Sequence, residues 1–126
     1  MFTHVVVGSN DLPKARKFYD ATFAALGGTP GTDAGFRIIY SHAGANFLVT
    51  TPINGEPATA ANGGTIGLAT TGPEQVDAWH EAGLANGGTT CEDPPGVRDL
   101  GFMKMRLAYL RDPDGNKLCA MWPITE

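Results

Sequence analysis

The chain has 126 residues, 42% hydrophobic and 17% charged, with a formal net charge of −4 at pH 7. That length holds one domain with a real core, or two small modules sharing one. The nine Lys and Arg are scattered, which excludes nucleic acid as a partner because no basic face is there to release phosphate counterions; and no apolar run approaches the ~20 residues that span a bilayer.

In chain order, "HVVV" (His4 to Val7) predicts a strand. Asn10 or Asp11 with Pro13 starts a helix, and Ala15, Phe18, Tyr19, Thr22, Phe23 and Leu26 form its apolar stripe. A short strand is expected near Gly28 to Gly31, then a strand, turn and strand over Phe36 to Pro52. The stretch from Ile53 to Gly64, "INGEPATAANGG", has linker composition. "TIGLA" (Thr65 to Ala69) is the next strand. Pro73 and Glu74 open a second helix striped by Val76, Trp79, Gly83 and Leu84, with Gly87-Gly88 as its C-cap. A short strand follows near Gly88 to Cys91. "CEDPPGVRDLGF" (Cys91 to Phe102) has turn chemistry and the length of a mobile lid. Lys104 to Pro123 reads as a hairpin around an Asp-Pro-Asp-Gly-Asn turn, with Lys104, Arg106 and Ala108 on one strand face and Met103, Met105, Leu107 and Tyr109 on the other.

The halves repeat one another. Thr3 and Thr65 open both copies, 62 residues apart, and both helices run into "GGT", at Gly27 and Gly87. The chain therefore reads as a single domain over 1–126, with module one at 1–52, a linker at 53–64 and module two at 65–126. Half a chain buries little core alone, so edge-to-edge packing of the modules is expected, with a concave face for a small molecule between them. The start "MFTHVVVGSNDL" has no basic n-region or cleavage site, and the two cysteines are expected as reduced thiols in a cytoplasmic protein.

"HVVVGSNDLPKARKFY" and "YLRDPDGNKLCA", set in this repeat, resemble the vicinal oxygen chelate superfamily of glyoxalase I, bleomycin-resistance proteins, extradiol dioxygenases and fosfomycin-resistance enzymes, and most of all its small glyoxalase-like members. The resemblance implies an α+β fold, two tandem βαβββ modules forming an open barrel-like cup, commonly in a homodimer. It also implies a divalent metal held by four strand positions, which here fall on His4, Leu48, Ile66 and Cys119. Two of these are aliphatic, and catalytic zinc takes three protein ligands, so no cofactor is expected.

His4 stands open as a hydrogen-bonded strand residue, a substrate-polarising group or a metal ligand. Cys119 stands open as core packing, a nucleophile or a ligand, with His4 across the cup as the group that would lower its pKa. Leu48, Ile66, Arg98, Arg106, Tyr109 and Met121 are the expected pocket residues, Arg98 on the lid and Arg106 as a cation reaching inward. His80 and Trp79 are expected to be structural, His42 exposed in a turn, and Cys91 packed in a loop. Two function classes follow: a glyoxalase-like lyase or isomerase using His4 and Cys119 on a small oxygenated molecule, or a metal-free protein that sequesters a ligand.

Overall fold

The computed structural model describes residues 1–125. Strand β1 (His4–Gly8) leads into helix α1 (Leu12–Ala25), whose N-cap Asp11 accepts a hydrogen bond from the Lys14 amide at 3.1 Å. Strands β2 (Thr32–Asp33), β3 (Arg37–His42) and β4 (Ala45–Thr50) complete module one. Module two runs β5 (Ile66–Ala69), α2 (Pro73–Ala85), β6 (Thr89–Thr90), β7 (Gly96–Asp99), β8 (Lys104–Arg111) and β9 (Lys117–Pro123). No helix among the described residues is long and apolar enough to cross a membrane.

The repeated "GGT" has a backbone cause. Gly27 and Gly87 take φ of 85° and 97°, the left-handed conformation that closes a helix. The next amides, of Gly28 and Gly88, then bond back to the carbonyls of Phe23 and Gly83 at 2.8 Å. The same end signal is thus used twice.

Each module makes one mixed sheet, β1-β4-β3-β2 and β5-β9-β8-β6, with β7 pairing the first half of β8. The outer strands β1 and β5 pair parallel to β4 and β9. This is the expected α+β pair of modules, with no closed barrel. The seam differs from expectation, however. No strand of one sheet pairs with a strand of the other; among the described elements the backbones of the modules come closest at α1 and α2. Phe18 and Trp79, both fully buried, sit in a core cluster that also takes Val49 and Ile38 from one sheet and Leu110 and Leu118 from the other. Helices lie between the sheets because their apolar stripes are wide enough to bury against a sheet and each other. The α2 stripe is Val76, Trp79, His80 and Gly83, while Leu84 is 45% exposed. His80, buried as expected, pairs with Thr90 Oγ1 at 3.2 Å.

The Asp-Pro-Asp-Gly-Asn turn is the polar joint of the two modules. Asp112, 3% exposed, accepts from Tyr19 Oη of α1 at 2.6 Å, from the amides of Asp114 and Asn116, and from Asn116 Nδ2. Asn116 Nδ2 also donates to the Gly8 carbonyl at the end of β1, and the Asn10 amide donates to Asp114 Oδ1. Asp112, Asn116 and Tyr19 are buried, and burial obliges their polar atoms to be paired.

The expected lid contains a strand. Gly96 to Asp99 pair with Leu107 to Lys104, and the Leu100 amide bonds the Met103 carbonyl to close the turn. Alternation across β8 supplies that strand with ladder partners, which the Pro- and Gly-rich composition of the segment concealed.

Candidate functional site

Strand alternation sorts each sheet into a helix-facing and an outer face. In module one Val5, Val7, Phe47 and Val49 face the core, leaving His4, Val6 and Leu48 outside. His4 is exposed and its Nδ1 lies 2.8 Å from Thr3 Oγ1. Leu48, opposite Val6 in the parallel ladder, shares its face.

In module two Ala108, Leu110, Leu118 and Ala120 face the helices, and the outer face carries a second apolar cluster of Met105, Leu107 and Cys119 flanked by Tyr109 and Met121. Two expectations need correction here. Ile66 packs toward the main core; Gly67, paired with Cys119, is the β5 residue on the outer face, where an added Cβ would lie 3.4 Å from Cys119 Sγ. Arg106 points to the helix side, where it grips Asp77 of α2 through three contacts of 2.9 to 3.2 Å. It cannot serve the outer face.

Polar groups rim this cluster. Lys117 Nζ donates to Glu92 Oε2 and lies 5.1 Å from the Tyr109 ring centroid. Glu92 has a φ of 58°, a conformation that a non-glycine residue holds only under constraint. Arg98 sits on β7 opposite Met105, with Nη2 donating to the carbonyls of Asp93 and Pro94 at 3.1 and 3.0 Å. It is thus tied to backbone rather than carried by a free lid. Burial first, then the Glu92 carboxylate, pushes the Cys119 thiol up, against the pull of Lys117. A thiol so placed is protonated at neutral pH and a poor nucleophile. Burial and Glu92 likewise raise the Tyr109 phenol, with Lys117 and Arg98 opposing.

The structure brings Cys119, Tyr109, Met121 and Arg98 together. It does not bring His4 to Cys119: their strands make no contact, and His4 is not among the charges bearing on that thiol. His42, expected exposed, is half-buried edge-on to Phe23. Sequence reasoning missed Glu92, Lys117 and Gly67. The signal for Gly67 was present in "IGLA", where large and small residues alternate and the small ones mark one face.

A cavity of about 330 Å³ opens beside the free edge of β5. Its floor is Phe23, Leu26, Tyr40 and Phe47, and it reaches Ile66 as well as Gly67 and Ala69, the residues opposite Cys119 and Met121. Of the four positions the resemblance assigns to a metal, His4 and Cys119 carry a ligating atom and Leu48 and Ile66 carry none, and no three His, Cys, Asp or Glu side chains gather among the described residues.

No curated protein matches this chain. Solved structures do. A glyoxalase/bleomycin resistance protein from Albidiferax ferrireducens T118 is 57% identical, covers 95% of this chain and 97% of its own, and superposes with a TM-score of 0.93. A glyoxalase-related enzyme from Fulvimarina pelagi, 20% identical over 99% of this chain and 92% of its own, gives 0.74. Lactoylglutathione lyase from Agrobacterium tumefaciens, 18% identical over 96% and 92%, gives 0.67. The last two are similar in fold alone. A family model matches residues 1–120, and by that match this chain belongs to the Glyoxalase/Bleomycin resistance protein/Dioxygenase superfamily.

Proposed function

We propose that this protein binds a small oxygenated molecule on the outer face of the second sheet without a metal, as a ligand-sequestering member of its superfamily. What supports this best is the make-up of that face. It offers an apolar floor of Met105, Leu107 and Met121, a few fixed polar groups, and glycine opposite Cys119. Such a mixture is the usual chemistry of a small-molecule site. His4 is left without the co-ligands a metal would need.

The test is metal content by mass spectrometry on protein made without a polyhistidine tag. After incubation with nickel, zinc, manganese or iron and desalting, less than about a tenth of an equivalent should remain, because fewer than three protein ligands hold a catalytic metal poorly. Near-stoichiometric metal that disappears in His4→Ala would overturn the reading.

A lyase or isomerase using His4 as general acid/base is the second reading, and His4 itself favours it: exposed, and held by Thr3. That reading needs a second copy to bring an imidazole near Cys119, since the chain alone keeps them apart.

We also propose a homodimer in a cytoplasmic setting, with both cysteines free as thiols. Strands β1 and β5 each pair on one side only, and Phe2 and Val6 beside the β1 edge are 73% and 48% exposed. Unpaired strand edges with apolar neighbours call for a partner. Pairing between copies would build the continuous sheet that the modules do not form within one chain. Light scattering at micromolar concentration should return twice the chain mass, and Val6→Lys should return the single mass. A single mass for the native protein would rule the dimer out.

A further inference from the structure

Arg98, like Arg111 on the Gly115 carbonyl, is held by backbone and not by a carboxylate. Arg16, Arg106 and Lys117 are each ion-paired to a carboxylate. Arg98 is held instead by two neutral carbonyls, both on Nη2, and no ion pair to it exists among the described residues. Its Nε and Nη1 have no hydrogen-bond partner there either. On the same face Glu92 and Lys117 cancel one another. The unpaired Arg98 charge therefore stands beside the apolar cluster of Met105, Leu107 and Cys119, in a protein whose overall charge is −4.

A guanidinium anchored on carbonyls keeps its full charge and a fixed orientation, and its remaining N–H groups suit a carboxylate or similar oxyanion. The apolar patch of Met105, Leu107 and Met121 with the Tyr109 ring suits a flat hydrocarbon body, and the methionines can adapt to its outline. We infer that the ligand is a small organic anion, its charged oxygens on Arg98 and its apolar body across Tyr109, Met105 and Met121. This rests on the reading that the outer face of the second sheet is the ligand face.

The experiment uses three probes of one shape and different charge: 1-naphthoate, 1-naphthylmethanol and 1-naphthylmethylamine. Affinities come from calorimetry, with native protein and Arg98→Gln compared. Location comes from the methyl resonances of the methionines, of which Met105 and Met121 lie on the face while Met1 is exposed at the start of the chain. The expected result is naphthoate binding about tenfold or more tightly than the alcohol, the scale of a hydrogen bond to a charged group. That preference should vanish in Arg98→Gln, with Met105 and Met121 shifting throughout. If all three probes shift Met105 and Met121 equally and Arg98→Gln changes nothing, the anion assignment is overturned while the ligand face stands. If no probe at millimolar concentration moves Met105 or Met121, the face itself is the wrong site and both ideas go.

Discussion

Asp112→Ala should destabilise the protein by about 3–5 kcal/mol, the scale for breaking a buried charged network by removing one partner. The carboxylate accepts four hydrogen bonds, and three of the donors, Tyr19 Oη and both nitrogens of Asn116, belong to buried residues. Truncation leaves the buried Tyr19 hydroxyl and Asn116 amide without their partner and takes one of the two acceptors of Asn116 Nδ2, so a desolvation cost is felt at each. The loss also frees the joint, because Asn116 can no longer hold its place against the Gly8 carbonyl. Tyr19→Phe removes one donor and should cost about 1–2 kcal/mol. Together with Asp112→Ala it should cost clearly less than the two separately, since the hydroxyl has no partner left to lose. Urea unfolding followed by circular dichroism measures all three variants. A cost for Asp112→Ala below about 1.5 kcal/mol would mean that the turn merely closes a hairpin and does not join the modules.

What the sequence revealed of this fold was local. Pro13, Asp11 and the paired glycines mark helix ends through backbone rules that act within a few residues, and the structure places those ends where the rules do. Periodicity likewise identified Phe18 and Trp79 as core. What failed was parity and partnership. The family resemblance assigned Ile66 a ligand position in the second module's opening strand, yet one residue in a strand exchanges the faces. Arg106 looked solvent-facing or ligand-facing because its partner, Asp77, lies 29 residues away on a helix. The seam between modules was the least legible part. Stripes on α1 and α2 announce that both helices are buried, but they do not say whether each is covered by its own sheet alone or by the other helix as well.

Gly88→Ala should cost about 3 kcal/mol, whereas the same change at its repeat mate Gly28 should cost about 1 kcal/mol. Both residues follow a left-handed glycine and both return an amide to the helix at 2.8 Å, so local geometry alone predicts equal effects. The surroundings differ. A Cβ on Gly88 would meet Phe18 Cε2 at 2.5 Å, the Gly83 carbonyl at 2.9 Å and the Arg111 carbonyl at 3.1 Å. Two of these are backbone, and Phe18 is fully buried against both helices, so α2 must move away from β8 and α1. On Gly28 the nearest atoms are the Phe23 carbonyl at 3.0 Å and His42 Nδ1 at 3.3 Å, and the half-buried imidazole can rotate. Each substitution also gains roughly 0.4–1 kcal/mol by restricting the unfolded chain, which offsets part of the smaller clash and little of the larger. Thermal and urea unfolding of the two variants decide it. Costs that agree within about 0.5 kcal/mol would show that the helix ends yield independently of what packs on them, and that the close contact of α2 with Phe18 is not what fixes the seam.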